Sequence, residues 1–208
     1  MTNSCQIFML SAVQQRLFSA AEIIKQTFIK HFKIQQQQSN YLFRIYVYAE
    51  NYAELTQLNS LLWGDKSNNR NEVLQFYPHY LMTDLQTNEA NQIFYETLIF
   101  YTPIVLSSNY PDLIKIDDFL GNYHKNHKNQ KNQKNQANKI ENIVIFISDD
   151  RQEILPQANN IGDYFDFGRF SSLVDIVYTS PVAVKNGRIR YRKYQQKNLE
   201  IKHLVWNR

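Results

Sequence analysis

The chain has 208 residues and a mass of 24.8 kDa, and its 43% hydrophobic and 20% charged residues suit one folded domain with a buried core. Lysine and arginine outnumber the acidic residues 23 to 19, and the net charge of +4 raises the possibility that the chain binds nucleic acid. The single cysteine, Cys5, excludes an internal disulfide and a zinc site built from pairs of cysteines, and it fits a reducing compartment such as the cytoplasm.

A strand and a long helix are predicted at the beginning of the chain. Residues 5–10 form a short apolar run typical of a strand, and apolar residues at helical spacing from Leu17 to Phe28 predict an amphipathic helix. We expect the helix to end near Lys33, because the four glutamines at 35–38 have the composition of a loop.

A second strand–helix unit follows. Residues 42–49 are rich in β-branched and aromatic side chains and predict a strand. Asn51 is a suitable N-cap for a helix that ends at Trp63, before a polar loop at 65–72. The aromatic segment around Pro78 predicts a turn, because proline disfavours a continued helix.

The second half of the chain predicts further strands and one basic helix. Residues 93–106 contain one or two strands, and the continuous apolar run at 143–147 is typical of a strand buried on both faces. Residues 174–178 predict another strand, 182–196 a basic helix and 199–206 a closing extended segment. Alternating strands and helices indicate an α/β domain with a sheet that is parallel at least in part.

A low-complexity repeat interrupts this pattern. Residues 125–136 repeat a KNQ-type triplet without one apolar side chain, so burial cannot offset the entropy lost on ordering them. We therefore predict one domain over residues 1–208 that carries a disordered insertion at 122–139.

The apolar runs and the spacing of the glycines argue against a membrane-spanning protein and against a nucleotide-binding protein. No run of eighteen apolar residues is present, and the N-terminus lacks the positive region of a signal peptide. No two of the five glycines are two residues apart, which excludes the glycine-rich loops that hold phosphates. We expect no membrane association and no cofactor.

Candidate metal and catalytic residues each have a simpler interpretation. His124 and His127 have a spacing that suits a metal site on a helix, but they lie in the repeat without a third ligand nearby. Asp149 and Asp150 follow a buried strand, where α/β domains often bind ligands, although a strand-end turn is the simpler reading. His79 is more typical of a packed or capping residue than of a catalytic base. No nucleophile–base pair is visible, so we expect no enzyme.

Positive charge is concentrated in the carboxyl-terminal segment. Residues 185–208 contain eight basic residues and one acidic residue, Glu200. Arg188, Tyr191 and Arg192 are spaced i, i+3 and i+4, so a helix would present two guanidiniums around one ring. Such a face suits an acidic peptide with a hydrophobic anchor. Guanidiniums bind carboxylates bidentately, and an aromatic ring can form one side of a pocket for the anchor. It also suits phosphates.

Several motifs, in this order, resemble the chi subunit of bacterial DNA polymerase III, an accessory subunit of the clamp loader. The resemblance rests on VDIVY at 174–178, on R-x-R-Y-R-x-Y at 188–194 and on Trp206 near the end. Earlier landmarks are LLW at 61–63, the turn at 76–79 and the strand at 143–147. The similarity covers residues 4–63, 76–82, 103–106 and 141–208, and the remaining segments resemble insertions.

The resemblance implies a fold and a function. The fold would be a Rossmann-like three-layer α/β sandwich with a largely parallel central sheet and no nucleotide-binding motif. The function would be that of a non-catalytic adaptor in DNA replication, associated with DNA only indirectly. It would link the psi subunit, and through it the clamp loader, to the acidic, phenylalanine-ended C-terminal tail of single-stranded-DNA-binding protein.

The resemblance also implies two binding surfaces. Position 184 is typically lysine in the family and is Val184 here, with Lys185 next to it. The psi-facing surface would involve Trp63 and Phe76. The tail site would involve Val177, Val184, Arg188, Tyr191 and Arg192.

Two rival functions remain open from the residues. Direct binding of single-stranded nucleic acid would use the same basic segment, with Tyr191 and Tyr194 stacking on bases. An enzyme would require a site near Asp149. The charge distribution favours the adaptor, because the insertion at 122–139 and residues 185–208 together carry more than the whole positive surplus and leave the remainder at net −8. One basic face on an acidic body suits a short acidic tail better than a long polyanion.

Overall fold

Seven parallel strands form one sheet in the computed structural model, which describes residues 5–38, 41–49, 51–63, 77–82, 102–108, 139–147 and 166–206. Across the sheet the strand order is β3-β4-β2-β5-β6-β1-β7, and every neighbouring pair is parallel. The strands are β1 (Gln6–Val13), β2 (Tyr41–Ala49), β3 (His79–Leu81), β4 (Ile104–Ser107), β5 (Lys139–Ile147), β6 (Ser172–Tyr178) and β7 (Glu200–Val205). The helices are α1 (Arg16–Gln37), α2 (Tyr52–Leu62) and α3 (Pro181–Gln196), and a 3-10 turn spans Phe167–Arg169.

The helices cover both faces of the sheet. One hydrophobic core lies between the sheet and the helices α1 and α2, and a second core lies on the opposite face, where Tyr194 of α3 packs. The middle strand β5 is therefore buried on both sides, and its residues Ile143 to Ile147 are all buried. This arrangement confirms the predicted Rossmann-like three-layer α/β sandwich.

Helix α1 extends beyond its predicted end. Gln35 to Gln37 belong to the helix, and the N–H of Gln38 donates to the carbonyl of Ile34 at 2.9 Å. The prediction that the whole glutamine run is a loop is wrong, because glutamine is a good helix former and needs no apolar face at a solvated helix end. Although α1 has 22 residues, neither it nor another described helix is apolar enough to cross a membrane.

Strand β3 lies where the sequence predicted only a turn. His79 to Leu81 pair with Ile104 to Leu106 of β4, immediately after Pro78. Three residues are too short for a period-two pattern, so only the pairing with β4 reveals the strand. The predicted loop at 65–72 and the repeat at 125–136 lie outside the described residues, and β5 begins at Lys139.

Candidate functional site

Helix α3 carries most of the predicted site, and local sequence explains where it begins. The hydroxyl of Ser180 accepts a hydrogen bond from the N–H of Ala183 at 3.1 Å. Pro181 occupies the first helical position, where its missing N–H is no loss. The predicted start at Val182 is thus correct to within one residue.

A glycine lets α3 lie close to the sheet. A Cβ atom added at Gly187 would come within 2.8 Å of Cγ1 of Val177 in β6, closer than carbon atoms can approach. Val177 is correspondingly buried, with 7% of its surface exposed. This close approach fixes the height of α3 above β6, and it places Val177 beneath the helix.

A buried ion pair fixes the rotation of α3 about its axis. Nε and Nη2 of Arg190 donate to the two carboxylate oxygens of Asp175 in β6, at 2.8 and 2.9 Å. The hydroxyl of Tyr194 donates to the same carboxylate at 2.9 Å. All three side chains are fully buried, and burial, reinforced by the negative charge of Asp175, raises the pKa of Tyr194 well above its usual value. With Arg190 and Tyr194 directed at the sheet, the opposite stripe of α3 faces outward.

The basic face is consequently smaller than the sequence indicated. Arg190 is neutralised inside the protein, and Tyr194 is not available to a ligand. The helical period explains this outcome, because positions 190 and 194 lie on the side of α3 opposite Arg188. A sum of charges over 185–208 could not separate the interior arginine from the surface ones.

The outward stripe of α3 lines an open groove of about 540 Å³. Its cations are Lys185, Arg188 and Arg192, and none of them forms an ion pair with a described carboxylate. The described lining residues are Pro181, Val184, Lys185, Arg188, Ile189 and Arg192. An apolar surface among uncompensated cations suits a ligand that combines negative charge with a hydrophobic group.

The groove contains only part of the predicted tail site. Val184, Arg188 and Arg192 line it, whereas Tyr191 lies on the other flank of the helix. The Tyr191 ring packs against His203 of β7, with centroids 5.0 Å apart, and its hydroxyl accepts a hydrogen bond from Gln195 at 3.0 Å. The structure therefore brings three of the five predicted residues together and separates Tyr191 and Val177 from them.

Three groove residues were absent from the predicted site. Pro181, Lys185 and Ile189 follow one another at i, i+4 and i+8, and Lys185 lies three residues before Arg188, so projecting the sequence onto a helix would have found them once the orientation of α3 was known. Lys185 supplies a cation beside Val184.

Trp63 lies at the end of α2, near the opposite edge of the sheet. Its side chain is 57% exposed, and its ring packs at 5.2 Å from the ring of His79 in β3. His79 is buried, with Nδ1 beside the carbonyl of Tyr77 at 2.6 Å and Nε2 beside Oδ1 of Asn59 at 3.0 Å. The packed role predicted for His79 matches this environment. Phe76, the other predicted residue of this surface, lies outside the described residues.

We expect the fluorescence of Trp63 to report the protonation of His79, whose pKa is lowered. Burial disfavours the imidazolium and lowers the pKa of His79 below its usual 6.5, although the hydrogen bond to Tyr77 opposes the shift. A protonated imidazole quenches an adjacent indole, so emission should fall with a midpoint below pH 6.5. As the pH falls through 6.5, the unfolded chain binds this proton before the folded chain does, so the free energy of unfolding decreases.

The measurement is a pH titration of the Trp206→Phe protein, which leaves Trp63 as the emitting indole. The matched control adds His79→Gln and should abolish the transition. A midpoint at or above pH 6.5 in the parent would contradict the assigned burial of His79.

The other polar candidates give no second site in the described part of the chain. His124, His127, Asp149 and Asp150 lie outside it. Among the residues that are described, no group of three or more His, Cys, Asp or Glu side chains is placed to hold a metal ion. Cys5 is buried, and burial raises the pKa of its thiol to about 12, which makes it a core residue and a poor nucleophile.

At the carboxyl edge of the sheet, where α/β domains commonly bind ligands, an ion pair joins α1 to α2. Nη2 of Arg16, at the start of α1, donates to Oε2 of Glu54 in α2 at 2.8 Å. The Arg16 guanidinium also lies 4.9 Å from the ring centre of Tyr178 at the end of β6. These side chains tie α1 and α2 to β6, so their arrangement serves the fold.

No protein-family model matches the chain, and no curated protein is significantly similar to it.

Proposed function

We propose that this chain is a non-catalytic adaptor in DNA replication whose α3 groove binds the acidic C-terminal tail of single-stranded-DNA-binding protein. The observation that carries the proposal is the groove itself, in which three cations without a described acidic partner surround apolar side chains. The resemblance of the sequence to the chi subunit supplies the identity of the ligand. An acidic peptide that ends in phenylalanine has the matching chemistry.

The groove assigns a role to each of its side chains. Arg188, at the centre of the stripe, binds the terminal carboxylate or an acidic side chain of the tail through its planar guanidinium. Val184 and Ile189 form apolar surface for the terminal phenylalanine, while Lys185 and Arg192 add attraction at longer range. Short peptide sites of this kind bind with Kd values of about 1 μM, or about −8 kcal/mol, and weaken as salt increases.

A second partner, the psi subunit, is proposed to bind at the exposed Trp63. A large exposed aromatic side chain is a common centre of protein interfaces. Trp63 follows α2, which packs on β3 and β4, whereas α3 packs on β6 and β7. At about 4.8 Å per strand, β3 and β7 lie roughly 29 Å apart, so the two partners could be bound at the same time.

Direct binding of single-stranded nucleic acid is less well supported. It requires rings on which bases can stack. Tyr194 is fully buried, and one side of the Tyr191 ring is already in contact with His203. The cations alone would still attract phosphates, so the tail peptide is the better fit because it also uses the apolar part of the groove.

Replacing Arg188 by alanine should weaken binding of the tail peptide about 30-fold, which corresponds to about 2 kcal/mol. The carboxylate of the peptide loses its bidentate partner, while the exposed position leaves the fold intact. The measurement is a fluorescence-anisotropy titration of the labelled C-terminal tail peptide of the cognate single-stranded-DNA-binding protein at low and high salt.

Lys30→Ala is the matched control, because Lys30 is an exposed cation on α1, on the other face of the sheet. This variant should bind the peptide like the parent protein. Equal affinity of the Arg188→Ala and Lys30→Ala proteins would refute the assigned site. Tight binding of single-stranded DNA without the tail would instead favour the nucleic-acid function.

A further inference from the structure

Strand β7 is an edge strand of the sheet that the described residues form. It pairs with β1 over its whole length, Gln6 to Ser11 opposite Glu200 to Val205, without a shift in register. On its other side no described strand pairs with it. Edge strands are usually shortened, bulged or covered, because unpaired N–H and C=O groups are a template for another chain. Six regular residues without a bulge are long enough to be such a template.

Both faces of β7 are exposed near its end. Leu204 is 45% exposed and Val205 is 64% exposed. Consecutive residues of a strand point to opposite faces, so these two values show that solvent reaches both sides of the strand. Lys202 and His203 are exposed as well. A strand placed beside β7 would therefore find apolar surface on each face for its own alternating side chains.

The hydrogen-bonding pattern shows which backbone groups are open. The N–H of Trp206 donates to the carbonyl of Ser11 at 3.0 Å, so the backbone polar groups of residue 206 face β1. In a parallel pair the same residue directs both its N–H and its C=O to one side, and the direction alternates. The backbone N–H and C=O groups of Lys202 and Leu204 therefore point to β1. Those of Ile201, His203 and Val205 point away from the sheet.

The charge beside this edge favours an acidic occupant. The carboxylate of Glu200 is already engaged by the amide of Gln6 at 2.9 Å and by Nζ of Lys202 at 3.5 Å. Lys202 stays half exposed within that pair, and Lys197, at the end of α3, is exposed and forms no ion pair with a described carboxylate, so the two lysines and Glu200 together leave a net positive charge. A second copy of the chain fits less well, because antiparallel pairing centred on His203 would set the two Lys202 side chains diagonally across from each other.

We propose that the free edge of β7 is a strand-addition site for an extended acidic segment of a partner protein. The added strand would bond to the backbone of Ile201, His203 and Val205 and would extend the sheet beyond β7. Its acidic side chains would lie near Lys197 and Lys202. The site is separate from the α3 groove and does not depend on what the groove binds.

Amide hydrogen exchange in the full-length protein tests this inference, with a synthetic ten-residue peptide of alternating aspartate and valine as the probe. Strand addition should slow exchange about tenfold at residues 201, 203 and 205 and leave 202 and 204 unchanged, because those two already bond to β1. Uniform protection of all five residues, or of none, would overturn the proposal. The Arg188→Ala protein should show the same alternating pattern, which separates this site from the groove.

Two controls isolate the backbone contribution. A peptide N-methylated at alternate residues keeps its charge and loses its donors on one edge, and it should bind at least tenfold more weakly. Val205→Pro removes one outward N–H without touching the pairing with β1, so it should weaken binding of the unmodified peptide, whereas Val205→Thr should not. Equal binding of the methylated peptide would refute strand addition, and protection that rises with protein concentration alone would identify a second copy as the occupant.

Discussion

Replacing Asp175 by asparagine is expected to lower the free energy of unfolding by about 3–5 kcal/mol, a large fraction of the stability of a domain this size. The substitution keeps the volume of the side chain and removes its charge. The guanidinium of Arg190 is fully buried and donates two hydrogen bonds to this carboxylate, and Tyr194 donates a third. Breaking a buried pair from one side is costly because the remaining charge stays out of water.

Urea denaturation of the parent and variant proteins measures this effect. Tyr194→Phe is the matched control, since it removes one hydrogen bond to the carboxylate and keeps both charges, and it should cost only about 2 kcal/mol. The double variant Asp175→Leu with Arg190→Met removes both charges and should be more stable than Asp175→Asn. A loss below about 1 kcal/mol for Asp175→Asn would mean that the ion pair does not hold α3 on β6.

Replacing Gly187 by valine is expected to destabilise the protein by about 3 kcal/mol, because the helix has no space for a side chain there. The Cβ position of residue 187 lies 2.8 and 3.0 Å from the two methyl carbons of Val177. Val177 is buried and held in a strand, so it cannot move aside, and α3 would have to rise from the sheet. Helix propensity alone would predict the opposite, since glycine is a poor helix former.

The clash is with the side chain of Val177, so shortening that side chain should relieve it. Adding Val177→Ala to Gly187→Val should recover a substantial part of the lost stability, and the double-mutant cycle gives the coupling between the two positions. Gly168→Ala, at an exposed turn where the nearest side-chain atom is 3.3 Å away, is a milder control. Additive effects at 177 and 187 would contradict the close packing of α3 on β6.

Much of the fold was predictable because its signals are local. The apolar run at 143–147 indicated a strand buried on both faces, and the structure has five buried residues there. Asn51 was correctly predicted as an N-cap, and its Oδ1 accepts from the N–H of Ala53 at 2.9 Å. The end of α1 and the strand β3 were missed, because the first depends on solvated glutamines and the second on pairing with a distant strand.

The candidate site was predictable only in its location. A cluster of basic residues at the end of the chain predicted a charged helix, and the spacing of Arg188 and Arg192 placed both on one stripe, where the groove lies. The same spacing suggested that Tyr191 joins them, but the contact with His203 draws its ring to the other flank. The interior arginine is Arg190 because it pairs with Asp175, which lies fifteen residues earlier and on a different element.

The sequence by itself determined the order of strands and helices, the concentration of positive charge in α3 and the apolar character of the central strands, because composition and periodicity are properties of neighbouring residues. The tertiary structure decided how those charges are used. The Arg190–Asp175 pair and the contact of Gly187 with Val177 set the rotation and height of α3, and these contacts join residues distant in the chain. They turn a segment with eight basic residues into a groove that is lined by three cations.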